Sequence, residues 1–308
     1  MGRARGRRNF CLKTLNPIQK NLCANGVNLA VYEYVGQVTP QQPPVIFFHA
    51  SSFHGRCWNQ VITHLPDWQC WSVDARNHGH SAKTDVHNPW PKMGHDAVDL
   101  LRQLGLHGAI GVGHSLGGNQ LVRVAAAMPQ AFSALLLIDP VIFSPDWYHL
   151  NDYDANTHFT MQRRNQWRSP DEMFERFNRR KPFINWQPAV LRDYCQYGLL
   201  PAPNAEAGFV LACSPEAEAN VYASSRLRQN SDIYTHIANI QQPVHILRCT
   251  HIATSINDLD ASPTTPDLAS HFAHGHDIPL PPSYSHFIPM EDPALIAQQV
   301  KVLRGSEK

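Results

Sequence analysis

The chain has 308 residues, 43% of them hydrophobic and 17% charged, which is ample for a buried core and excludes a disordered or fibrous protein. Its 26 basic and 25 acidic side chains nearly cancel, so no general field would hold nucleic acid or an anionic membrane. The unusual feature is the 18 histidines, whose protonation in mild acid would make surface charge strongly pH-dependent.

The opening MGRARGRRNF carries Arg3, Arg5, Arg7 and Arg8 but runs into CLKTLNPIQK rather than an apolar stretch. Residues 1–19 therefore read as a basic, unstructured tail and not a secretory signal. Next, NLCA and VNLAVYEYV flank Asn25-Gly26, the strongest short hairpin signal. After the Pro43-Pro44 break comes VIFFH at 45–49, a continuous apolar run suited to a strand buried on both faces. CWNQVITHL then has helical spacing, with Trp58, Val61, Ile62 and Leu65 together, and QCWSVD reads as a second buried strand ending at Asp74. A longer helix from about Met93 to Leu104 follows, then the strand GAIGVG, the helix HSLGGNQLVRVAAAM, and the strand SALLLIDP. Alternating strands and helices predict an α/β fold with a doubly wound, mostly parallel sheet.

Composition changes after Ser144. Residues 145–237 are rich in aromatics and arginines, with amphipathic stretches such as DEMFERFNRR and PEAEANVYA and no convincing buried strand. They are predicted to form a helical cap inserted into a core made of 20–144 and 238–308. The core resumes at VHILRC and closes with the helix PALIAQQVKVL.

The sharpest signal is Gly113-His114-Ser115-Leu116-Gly117-Gly118, a G-x-S-x-G sequence directly between an apolar strand and a helix. That context defines a nucleophile elbow: a tight, strained turn presents the Ser115 hydroxyl at the end of the sheet. The following helix aims its first N–H groups at the same point, where negative charge would develop.

On these residues the chain resembles the α/β-hydrolase superfamily over about residues 25–303. The resemblance implies a Ser-His-acid triad and a hydrolytic activity. In that family a His-Gly turn after an early strand supplies the second oxyanion donor; here the turn is His49-Ala50-Ser51-Ser52-Phe53-His54-Gly55, with Ala50 in place of the usual glycine. The backbone N–H groups of Leu116 and Ser51 are the implied oxyanion pair. The family's base lies between the last strand and the final helix, which points to His286 in Tyr284-Ser285-His286-Phe287.

The acid departs from the common pattern. The usual strand-G-x-x-D arrangement, laid on Cys249-Thr250-His251-Ile252, places isoleucine where aspartate is needed. Either Asp258 or Asp260 reaches back from a longer loop, or Asp139 serves from the end of SALLLIDP. A minority of the superfamily keeps its acid there, including some haloalkane dehalogenases, pancreatic-type lipases and fungal acyl-CoA hydrolases of mycophenolic acid formation. Asp139 is the preferred choice.

The expected activity is serine hydrolysis of an ester or related acyl bond in a small, largely apolar substrate, through an acyl-enzyme. Thioester or carbon–carbon cleavage would use the same triad, and a non-catalytic small-molecule receptor is the alternative of another class. His49, His54, His114, Trp147 and Phe287 are candidates for the substrate pocket. The run His271-x-x-His274-x-His276-Asp277 lacks a cysteine partner and helical H-E-x-x-H spacing, so it reads as a solvated helix end rather than a metal site. No metal or organic cofactor is expected. Seven scattered cysteines without a C-x-x-C pair point to a reducing compartment, hence a cytoplasmic location. No apolar run approaches the roughly 18 residues of a membrane span, and the pattern carries no oligomeric signature.

Overall fold

The computed structural model describes residues 16–36, 42–85, 87, 89–203, 208–251 and 258–305. The hairpin at Asn25-Gly26 joins β1 (Ile18–Ala24) to β2 (Val27–Tyr34), with Ala24 opposite Val27. Gly26 takes φ 75° and Asn25 φ 50°, the left-handed pair that a two-residue hairpin turn demands. Strand β1 thus begins inside the segment expected to be tail; residues 1–15 lie outside the described residues.

The main sheet has eight strands. Besides the hairpin it contains β3 (Val45–Phe48), β4 (Cys70–Val73), β5 (Ala109–His114), β6 (Phe132–Ile138), β10 (Val244–Arg248) and β11 (Gly275–Pro279), in the order β1-β2-β4-β3-β5-β6-β10-β11. Strand β2 is antiparallel to both neighbours, and every pairing from β4 to β11 is parallel. The period of two decides which face each side chain serves. Ile46 and Phe48 pack on one face with Leu100 and Leu101 of α2 (Pro89–Leu104) and Leu121 of α3 (Leu116–Ala127). Val45 and Phe47 pack on the other with Val61 and Ile62 of α1 (Asn59–Ile62) and with Ile296 and Val300 of α8 (Pro293–Gly305). A strand buried on both faces has no polar alternation, which is why VIFF is continuously apolar.

Between β6 and β10 the chain forms the insertion. Helices α4 (Pro170–Phe177) and α6 (Pro215–Ser224) both start at a Ser-Pro step, and Ser169 and Ser214 accept from the amides of Glu172 and Ala217. Serine at the cap satisfies an otherwise orphaned donor, and proline next to it has no donor to orphan. Helix α5 (Pro188–Tyr197) packs beside α4.

The insertion is not wholly helical, because β7 (Gln166–Trp167), β8 (Leu199–Pro201) and β9 (Phe209–Leu211) make a small antiparallel sheet. Strands of two or three residues are too short to show a period. Helix α7 (Ile233–Ala238) rejoins the core, since Ile233 and Ile237 are buried beneath α3. The histidine run is a second difference. After one turn at Leu268–His271 the chain becomes β11, so His276 and Asp277 sit on a polar edge strand rather than at a helix end. A short, charged edge strand is a form that discourages further pairing and leaves no apolar signature. Among the described residues no helix is long and apolar enough to cross a membrane.

Candidate active site

Strand β5 ends at His114 and α3 begins at Leu116, which leaves Ser115 alone at the corner with φ 56° and ψ −116°. A non-glycine residue holds such a conformation only where its surroundings over-determine it. Here the Ser115 N–H donates to the Ile138 carbonyl at 3.0 Å, while its own carbonyl accepts from Gly118 and Val141, each at 3.1 Å. The flanking glycines answer to contact. A Cβ on Gly117 would stand 2.2 Å from the Phe48 carbonyl oxygen, and one on Gly113 would stand 2.6 Å from that of Gly117. The corner is therefore pressed against the end of β3, from which the turn carrying Ser51 departs.

Asp139 follows β6, also at positive φ (42°), and is wholly buried. Its Oδ2 lies 2.6 Å from His286 Nδ1, and His286 Nε2 lies 3.0 Å from Ser115 Oγ. A carboxylate on Nδ1 fixes the proton there and leaves Nε2 to accept from the hydroxyl. Two further groups satisfy the buried carboxylate, Ser262 Oγ donating to Oδ1 at 2.5 Å and the Cys249 thiol to Oδ2 at 3.5 Å, while Thr264, whose hydroxyl donates to the Pro140 carbonyl at 2.7 Å, stands 3.3 Å from Oδ1. These bonds offset the cost of taking a charge out of water.

The other two aspartates stand apart. Asp258 pairs with His251 at 3.2 Å, and Asp260 meets His286 through its main chain, whose carbonyl accepts the His286 amide at 2.8 Å. The opposite end of that residue is held as well, because His114 Nε2 donates to the His286 carbonyl at 2.9 Å.

Leu116 contributes the first amide of α3, and Ser51 lies in the turn beside Gly117. Among the described residues neither amide donates to a protein acceptor. Free donors at a helix start are suited to an oxyanion.

The five pocket candidates divide. Phe287 belongs to a buried aromatic cluster, 5.4 Å from Trp186 and 6.1 Å from Phe53 between ring centres, with Tyr194 5.2 Å from Phe53. His49, His54 and His114 are instead buried structural groups. His49 Nε2 accepts from the Ala75 amide, so Nδ1 carries the proton and donates to the Ala50 carbonyl; His54 Nε2 donates to the Tyr194 carbonyl. Burial lowers the pKa of all three, that of His54 to about 4 and that of His114 well below the usual range. Trp147 lies elsewhere, half exposed and stacked on Phe143.

Sequence reasoning missed Ser262 and Thr264, which sit in a Ser-Pro-Thr stretch with no periodicity and are marked only by their contact with Asp139. It also missed the ion pair of Arg163 with Glu218, buried in the cap under Tyr194.

Residues 45–299 match the profile of the Alpha/beta hydrolase family, and the chain belongs to that family. Lipase LipV of Mycobacterium tuberculosis is 32% identical over 112 residues, 35% of this chain and 42% of the lipase. Non-heme chloroperoxidase CPO-A1 of Kitasatospora aureofaciens is 30% identical over 150 residues, 45% of this chain and 54% of the peroxidase. The chain thus spans about half or less of the length of these curated relatives. Among solved structures, E-2-(acetamidomethylene)succinate hydrolase superposes with TM-score 0.69 at 21% identity over 94% of this chain and 100% of its own. The thioesterase domain from the curacin biosynthetic pathway does so with TM-score 0.70 at 14% identity, over 93% and 99%. At these identities the superpositions show the fold.

Proposed function

We propose that the chain is a serine hydrolase that cleaves an ester or related acyl bond of a small, largely apolar substrate. The observation that carries this reading is the line from Asp139 through His286 to Ser115, with spacings of 2.6 and 3.0 Å. Ser115 Oγ attacks the acyl carbon as its proton passes to His286 Nε2. Asp139 stays ionised and stabilises the imidazolium. The amides of Leu116 and Ser51 receive the oxyanion, and collapse expels the leaving group, which takes the proton from Nε2. Water, activated by the same imidazole, then releases the acid and restores Ser115. The aromatic cluster of Phe53, Trp186 and Phe287 sets apolar side chains next to the base, with Phe287 5.6 Å from His286 between ring centres, which suits an apolar acyl or leaving group.

The test is labelling with a fluorophosphonate, followed by turnover of p-nitrophenyl esters, acyl-CoA thioesters and lactones. Wild type is expected to label and to turn over at least one class, while Ser115→Ala does neither. Folded wild type that resists the probe and all three substrate classes would favour a receptor on the same fold.

A further inference from the structure

A cavity of about 700 Å³ lies where the stretches 143–147, 248–251 and 258–266 meet Arg226. None of Ser115, Leu116, Ser51 or His286 lines it. It is lined by Ser262 and Cys249, which donate to the Asp139 carboxylate, and by Thr264, whose hydroxyl stands 3.3 Å from it. One wall is aromatic, with Phe143 and Trp147 stacked at 6.1 Å and 15°. The volume falls in the range of small-molecule sites, roughly 300–1,000 Å³.

The charged groups lining this cavity are Arg226, Arg248 and Asp258, with His251 beside them. Arg248 is held in a two-pronged pair with Asp277, at 2.8 Å on each oxygen. His251 pairs with Asp258 at 3.2 Å. Arg226 differs: among the described residues no carboxylate lies within ion-pair distance of it, and its guanidinium lies over the rings of Trp147 (4.4 Å) and Phe143 (5.2 Å). Ring faces attract the cation and hold the planar fork, yet they leave its N–H edge without a carboxylate partner. Such a fork matches a carboxylate bidentately.

We infer that this cavity is a ligand site separate from the nucleophile, taking a small organic carboxylate whose acid group meets Arg226 and whose apolar body lies along Trp147 and Phe143. Because Ser262 and Cys249 both line the cavity and donate to the Asp139 carboxylate, occupancy would also be felt at the acid. This last clause rests on the proposed triad, whereas the binding itself does not.

The probe is 2-naphthoate, with neutral 2-naphthamide as the control, titrated calorimetrically into wild type, Arg226→Gln, Trp147→Ala and fluorophosphonate-treated protein. Saturable binding to wild type is expected, at least tenfold tighter than that of the amide and at least tenfold weakened by either substitution. The phosphonate adduct should leave it unchanged. Ser115→Ala should bind like wild type, so this arm stands even if the hydrolase reading fails. In turnover assays naphthoate should lower kcat without raising KM. Absence of binding, equal binding to Arg226→Gln and Trp147→Ala, or displacement by the phosphonate adduct would each overturn the separate site. Purely competitive inhibition would assign naphthoate to the acyl pocket instead.

Discussion

His286 Nδ1 lies 2.6 Å from Oδ2 of Asp139, a carboxylate that leaves the sheet at the end of β6 rather than β10. A neighbouring strand end can replace the usual one because parallel strands deliver their C-terminal residues to the same edge. Asp139 N–H donates to the Leu247 carbonyl at 2.7 Å, so the two strand ends are in direct contact. Asp139→Asn is therefore expected to lower kcat by about 10⁴, since an amide favours the wrong imidazole tautomer. Asp258→Asn and Asp260→Asn should change it by less than about tenfold, because neither carboxylate holds the ring. Full activity in Asp139→Asn would overturn the assignment of the acid.

The elbow makes a second expectation quantitative. Gly117→Ala places a methyl 2.2 Å from a backbone oxygen that cannot swing away. Overpacking of this kind costs about 1–3 kcal/mol and more when backbone must move. Gly105→Ala isolates the other cost: unlike Gly117 it sits at positive φ (63°), with nothing within 4 Å of the new methyl, so strain alone should cost about 1–2 kcal/mol. Urea midpoints of the two variants should separate clearly, and equal midpoints would remove the steric account of the elbow.

A third expectation concerns the cap. Arg163 and Glu218 form an ion pair whose side chains are 20% and 3% exposed, with Arg163 Nη2 also donating to Tyr194 at 3.2 Å. Removing one partner strands the other charge, so Arg163→Met or Glu218→Leu alone should cost about 3 kcal/mol. Arg163→Met combined with Glu218→Leu should cost less than either single change, because no charge is then left unpaired. Denaturation of the four proteins measures the coupling, and simple additivity would show that the pair contributes nothing specific.

The site's skeleton was legible because the chemistry is local. An elbow must be written as glycine, serine, glycine between a strand and a helix, and that string is visible without knowing any contact. The hairpin at Asn25-Gly26 was readable for the same reason, since its backbone angles demand those residues. The carboxylate that meets His286 was harder, as three aspartates at suitable chain positions differ only in how far their side chains reach. Strand β11 and the small sheet of the insertion left no pattern, being polar or two to five residues long. Ser262 and Thr264 were invisible, because a hydrogen bond to a residue more than a hundred positions away leaves no trace in the local sequence.

The abundance of histidine finally bears on stability rather than on catalysis alone. His49, His54, His78 and His114 are buried, and burial holds each below the ordinary imidazole pKa, since a charged ring there would lose its hydration. Above pH of about 7.5 both native and unfolded chains keep these rings neutral, and they contribute no pH dependence. As pH falls below that value the unfolded chain binds protons that the native chain refuses, so stability must fall. Each such ring costs up to about 1.4 kcal/mol per pH unit until its folded pKa is reached. For His54, whose folded value is about 4, the total by that pH is roughly 3 kcal/mol. Urea denaturation at pH 7.5, 6.5 and 5.5 should show a shallow upper interval and a steep lower one, and His54→Gln should lessen the lower slope by up to about one proton. A native state equally stable at pH 7.5 and 5.5 would mean that these buried rings accept protons, and would contradict the neutral packing role that their hydrogen bonds to backbone carbonyls assign them.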